Sequence, residues 1–305
     1  MLKLNKTLRS LEKTLLVHSN SKKYSTIKSD DINAIKKCKG SSSGVHELGQ
    51  PTYITHPHLF ANSTNFSQQV TPGITKDEFE QRRYNYVNHL TSYQKYYFST
   101  KLSAADKKKL NAKLADWNNS KNEFDLSTID HNFIAVIPSA MAAFMAPDVP
   151  HVFKQNSDFL YLTGFKEPDS VLVISRTDPD VARGSLAYKC ALFAKEKNPK
   201  KEIWDGPSTG PENVAKLCGI ENAYPIDEFK TYLNSLLKET SPNRRVTLWR
   251  YPNIGLESGP NCQNAKVEQV LGEFVEENQS SKLIEMNEQE PINASIAASY
   301  FNSSR

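Results

Sequence analysis

Gln155-Asn156-Ser157-Asp158-Phe159-Leu160-Tyr161-Leu162-Thr163-Gly164-Phe165-Lys166-Glu167-Pro168-Asp169-Ser170-Val171-Leu172-Val173-Ile174 is the stretch on which the fold turns. Gln155, Asn156 and Asp158 are polar side chains placed where the chain enters a helix. Asn156 or Asp158 is suited to cap it, because a side-chain oxygen there accepts one of the backbone N–H groups that the first turn leaves without an internal partner. Phe159, Leu160, Tyr161 and Phe165 read as core. Val171–Ile174 is a short continuous apolar run, as a strand buried on both faces requires. The stretch is scaffold and shows no evident chemistry of its own.

More strands and helices surround it. Phe133–Ile137, Leu186–Ala194 and Val246–Trp249 are further strand candidates. Between them, helices are expected over Pro211–Cys218, with proline near the start, over Ile226–Leu237, with Asp227 and Glu228 in the first turn, and over Ala265–Glu276. Upstream, Thr75-Lys76-Asp77-Glu78 is a capping box that opens a helix carrying Phe79, Tyr86, Val87 and Leu90. Ser103-Ala104-Ala105-Asp106 has the same form and precedes Leu110, Leu114 and Trp117. The segment from about 91 to 127 is rich in Lys, Asn and Ser and reads as a helical surface insertion. Strands alternating with helices predict an α/β domain with a mixed sheet.

Composition divides the chain. The 305 residues carry a net charge of +4, but residues 1–40 hold ten Lys/Arg and three Asp/Glu, leaving 28 basic and 31 acidic residues in the remainder. A near-neutral body does not predict a broad phosphate-binding surface. No apolar run reaches the roughly 20 residues of a membrane span. The four cysteines, Cys38, Cys190, Cys218 and Cys262, show no C-x-x-C spacing and suit a reducing compartment. The leader, residues 1–29, sets Lys3, Lys6, Arg9 and Lys13 against one acid, Glu12, with Leu2, Leu4, Leu8, Leu11, Leu15 and Leu16 at helical spacing. A basic, acid-poor amphipathic start predicts mitochondrial import; a basic tail or a lipid-bound surface helix is the alternative. Residues 30–74 read as a linker followed by a Pro-rich segment lying on the domain surface, where His56 and His58 are expected to be anchored loop residues.

Spacing decides four chemical motifs. Gly206-Pro207-Ser208-Thr209-Gly210 matches the G-x-S-x-G nucleophile elbow, but the base histidine of that arrangement follows the serine, and the last histidine here is His151. A turn is the better reading. No H-E-x-x-H, G-x-G-x-x-G or P-loop sequence occurs. No residue is assigned a catalytic or metal-ligating role.

Several motifs in order resemble the mitochondrial third-form type of Xaa-Pro aminopeptidase (aminopeptidase P). They are Gly49-Gln50-Pro51-Thr52, Thr55–Leu59, Val70–Thr75, Phe79 with Arg82-Arg83, Met145–Pro150, the opening stretch, and Glu202–Gly210. The signature positions are Gln155, Asn156, Asp158, Gly164, Phe165 and Pro168. The resemblance implies a creatinase-like N-terminal domain over about 75–290, with a divergent tail at 291–305. In that family the domain packs on a catalytic domain whose two Asp, one His and two Glu hold two metal ions, usually manganese, for cleavage before a penultimate proline. The resemblance implies that those ligands lie beyond Arg305, so these residues are expected to bind no metal and to be inactive alone. It also marks Trp204 and Asp148 as substrate-channel candidates. Self-association, or association with a full-length subunit as a noncatalytic module, is the second expectation; nucleic acid is not an expected partner.

Overall fold

The computed structural model describes residues 50–53, 56–60, 68–98, 132–142, 144–146, 149–177, 188–240, 245–251, 263–278 and 283–286. The leader, the Ser103–Asp106 cap, Asp148 and the divergent tail lie outside them.

Six strands form the central sheet: β3 (Phe133–Pro138), β6 (Val171–Arg176), β7 (Lys189–Ala194), β8 (Asn222–Pro225), β9 (Val246–Arg250) and β10 (Leu283–Met286). Their order is β10-β9-β3-β6-β7-β8. Only β6 runs against the others: it is antiparallel to β3 and to β7, while β9–β10, β3–β9 and β7–β8 are parallel. The carboxyl ends of β3, β7, β8, β9 and β10 therefore meet at one end of the sheet. Two hairpins stand apart from it, β1 (Gln69–Thr71) with β2 (Ile74–Thr75), and β4 (Phe144–Ala146) with β5 (Val149–Pro150).

Every residue of β3 and β6 is buried, as the apolar runs Phe133–Ile137 and Val171–Ile174 require; Ser175 and Arg176 at the end of β6 are buried with them. Alternation sorts those side chains into two cores. Phe133, Ala135, Ile137, Leu172 and Ile174 face one layer, Ile134, Val136, Val171 and Val173 the other. Beyond a short α1 (Pro57–Phe60), the first layer consists of α2 (Lys76–Tyr96), α3 (Ser157–Thr163) and α5 (Pro211–Cys218). The second consists of α6 (Phe229–Glu239), entered through a 3₁₀ turn at Ile226–Glu228, and α7 (Gln263–Asn278). A further helix, α4 (Pro199–Asp205), belongs to neither. The domain is mixed α/β, a mixed sheet flanked by helices.

Helix α2 begins at the expected cap: Glu78 N donates to Thr75 Oγ1 at 3.3 Å. The Glu78 carboxylate instead meets Arg82 at 2.5 Å, one turn on. The helix continues to Tyr96, and Thr91, Gln94, Tyr97 and Phe98 are buried, so one face of residues 91–98 belongs to the core and not to a surface insertion. The reason is polar: Gln94 Nε2 donates to Thr247 Oγ1 at 3.1 Å, and Trp249 Nε1 donates to Gln94 Oε1 at 3.2 Å, fastening the helix to β9. Arg83, 2% exposed, donates to Leu162 O at 3.1 Å and Gly219 O at 3.0 Å. Its cation thus sits at the carboxyl ends of α3 and α5, where the helix dipoles favour positive charge.

Candidate functional site

The carboxyl end of the sheet is organised by Gln155, which is 8% exposed. Its Oε1 accepts from Ala140 N at 2.7 Å and Asn156 N at 2.9 Å, and its Nε2 donates to Phe165 O at 3.2 Å and Glu167 O at 2.9 Å. One amide thereby satisfies backbone groups on both sides of α3, which would otherwise be buried without partners. Asn156 is the cap of α3: its Oδ1 accepts from Asp158 N at 3.0 Å. Asp158 sits one residue inside the helix, and burial raises its carboxyl above the ordinary value. Gly164 closes α3 at φ 69°, and a Cβ there would stand 2.7 Å from Phe79 Cζ. Phe165 is fully buried. Pro168 accepts the Ser170 hydroxyl at 3.3 Å, and the next residue, Asp169, pairs with Lys195 at 2.5 Å. The signature residues are brought together, and what they build is a rigid platform.

Glu167 extends this platform outward. Its carboxylate accepts from Thr209 N at 2.8 Å and from the Thr209 hydroxyl. Burial raises its proton affinity above the ordinary value, against the pull of Thr209 and Lys197. Glu202, on α4, accepts from Ser208 N at 3.2 Å and from the Ser208 hydroxyl, which hold its carboxyl below the ordinary value. The Gly206–Gly210 segment is thus a turn pinned by two carboxylates, with Gly206 at φ 86° and Gly210 at φ 68°. Ser208 faces an acid, not an imidazole.

Two groups of exposed apolar side chains leave this end of the sheet. After β3 the chain forms the β4–β5 hairpin with Phe144, Met145 and Val149 exposed, then Val152. After β7 it forms α4, where Ile203 is 77% and Trp204 87% exposed. Trp204 therefore stands free of the core, while Asp148 lies outside the described residues.

The buried thiols are not nucleophiles: burial pushes Cys190 up to about 11 and Cys218 up to about 12. Among the described residues no three His, Cys, Asp or Glu side chains gather as metal ligands. The described residues therefore do not fit a dinuclear metal centre.

Sequence comparison bears on the same region. The family described as "Aminopeptidase P, N-terminal domain" matches residues 104–246. The chain carries an aminopeptidase P N-terminal domain. Xaa-Pro aminopeptidase 3 of Rattus norvegicus is 32% identical over 194 residues, covering 64% of this chain and 31% of that protein. Intermediate cleaving peptidase 55, mitochondrial, of Arabidopsis thaliana is 28% identical over 217 residues, covering 70% of this chain and 33% of that protein. The chain spans about a third of the length of the curated relatives it matches. Among solved structures, aminopeptidase P from Escherichia coli in its low-pH form is 24% identical, with a TM-score of 0.40 over 52% of this chain and 33% of that one. The platform around Gln155 and the pinned Glu202–Gly210 turn both lie within the matched residues.

Sequence reasoning did not find the two carboxylate clamps or the Arg83 bridge. A signal for the first was present: Glu202 lies six residues before a serine inside a Gly-bounded turn. Nothing local signals Arg83, whose acceptors lie 79 and 136 residues away.

Proposed function

We propose that this domain is the noncatalytic N-terminal part of an Xaa-Pro aminopeptidase acting in mitochondria, and that it lends Trp204 to the wall of a substrate channel completed by a metallopeptidase domain holding two manganese ions. The observation that carries the reading is the exposed indole of Trp204 on a pinned helix within the matched family region. A proline ring is rigid and apolar, and an indole face is a suitable surface for it. The exposed side chains of the β4–β5 hairpin support a docking role for the same end of the sheet, toward the second domain or another subunit. The basic amphipathic leader and the name of the Arabidopsis relative support the mitochondrial assignment. Among the described residues no helix is long and apolar enough to cross a membrane.

The test has two arms. The 305-residue chain, purified and supplied with manganese, releases no N-terminal residue from an Xaa-Pro peptide; metal-dependent turnover by the pure chain overturns the noncatalytic assignment. In a longer chain joined to a metallopeptidase domain, Trp204→Ala raises KM about tenfold, the loss of roughly 1.4 kcal/mol of contact. An unchanged KM and kcat removes Trp204 from the channel.

A further inference from the structure

Helix α4 has no apolar anchor. None of its seven residues is buried, and Ile203 and Trp204 face solvent. Isolated helices shorter than about 12–15 residues are marginal in water, so propensity does not hold this one in place. Its fastenings are polar. At its start Asn198 Oδ1 accepts from Lys200 N at 3.1 Å and Lys201 N at 3.4 Å. From its middle, Glu202 reaches past the helix end to take both the N–H and the hydroxyl of Ser208. The next residue, Thr209, is fully buried and gives its own N–H and hydroxyl to Glu167. Lys197 lies in the field of both carboxylates, and a Cβ on Gly210 would stand 2.6 Å from Lys197 Cγ. The Glu167 backbone carbonyl in turn accepts from Gln155 Nε2 at 2.9 Å. Hydrogen bonds joined through the Ser208–Thr209 backbone and through Glu167 itself therefore link the exposed helix to the buried amide at the centre of the platform.

The geometry points to Glu202 and Glu167 as positioning residues: their carboxylates, each clamping the N–H and hydroxyl of one of two consecutive residues, lock the Gly206–Gly210 turn and hold Trp204 in one presented orientation. This deepens the proposed function and rests on its reading of Trp204 as the contacting group. Two consecutive doubly held residues leave the turn no freedom to rotate. The negative charge of each carboxylate strengthens all four bonds relative to a neutral acceptor. A helix held this way presents an apolar ring without burying it, which packing against the core does not allow.

The clamp is tested without substrate, on the full 305-residue chain grown with 5-fluorotryptophan. Its three tryptophans, Trp117, Trp204 and Trp249, give three fluorine resonances, and Trp204→Phe assigns the one of interest. Glu202→Ala and Thr209→Val are expected to narrow the Trp204 resonance and move it toward that of the free amino acid. Amide exchange over residues 200–209 quickens at least tenfold and the resonance of buried Trp249 stays in place; the melting temperature is unchanged in Glu202→Ala and falls in Thr209→Val, which takes a hydroxyl from the buried Glu167 carboxylate. Glu202→Gln, which keeps an acceptor oxygen, falls between. An unchanged Trp204 resonance in both Glu202→Ala and Thr209→Val overturns the clamp, and so does a change that moves Trp249 equally. A normal KM for Trp204→Ala in the joined enzyme removes the channel reading and leaves the fluorine result standing, so the two failures are told apart.

Discussion

Helices α3 and α4 are the same object locally and opposite objects in the fold. Each has seven residues, an asparagine cap (Asn156, Asn198) and a glycine after its last turn (Gly164, Gly206). Both start near the carboxyl end of the sheet. Yet α3 buries Phe159, Tyr161, Leu162 and Thr163, and α4 buries nothing. The local code of caps and stops forms a short helix in either setting; what lies beneath it decides whether the helix is scaffold or display. Under α3 lie Phe79 and Val70, so close that the glycine cannot carry a Cβ. Helix α4 is fastened instead by its own Glu202, through Ser208, and the turn that follows by Glu167, through Thr209.

Substitutions can break this contrast. Phe159→Ala, which empties a fully buried site under α3, is expected to lower stability by about 3–5 kcal/mol. A urea midpoint close to wild type would mean that α3 is not the platform described. Gly164→Ala adds a methyl group against Phe79 and Val70 at a left-handed φ, at a cost of roughly 2–4 kcal/mol from overpacking and strain together. Gly206→Ala meets no atom within 4 Å and bears only the strain of its positive φ, so its effect on the same denaturation curve is smaller. The two caps sharpen the comparison further. Asn156→Ala costs about 1 kcal/mol of global stability, whereas Asn198→Ala quickens amide exchange in α4 alone.

Acidity separates the two clamps. Burial lifts the Glu167 carboxyl above its ordinary value of 4.5, so its contribution to stability is whole below that value and is lost as pH rises through the folded one. Glu202 is held low, so its contribution is present above the ordinary value and is lost as pH falls through the folded one. Glu167→Gln is expected to remove the decline on the alkaline side, and Glu202→Gln the decline on the acid side, when midpoints are compared from about pH 4 to about pH 7. Identical pH profiles for both variants would dissolve the distinction between them. The smallest effect is Trp204→Ala, expected within about 0.5 kcal/mol of wild type because the ring is exposed.

Much of the fold was legible in the chain. The apolar runs at Phe133 and Val171 are strands because only a doubly covered sheet accommodates them, and Thr75 and Asn156 cap because a short polar side chain before an apolar helical run has that use. The weaker elements were not. Strand β8, Asn222-Ala223-Tyr224-Pro225, has neither an apolar run nor alternation, and exists because β7 offers it a free edge. The end of α2 read as surface because Ser92, Gln94 and Lys95 are polar, yet Gln94 is buried to serve Trp249, 155 residues away.

By itself the sequence determined the class of the domain, its family resemblance and the caps that open α2 and α3, since these depend on patterns within a few residues. Tertiary structure alone decided that Gln155 satisfies four backbone groups, that Arg83 closes two helices, and that Trp204 stands in solvent on a helix held by two acids. Arg83 reaches acceptors 79 and 136 residues away and Thr209 reaches Glu167 across 42, while Gln155 collects groups from three separate loops around α3; in each case the partner is set by how the elements pack, which no pattern within a few residues records.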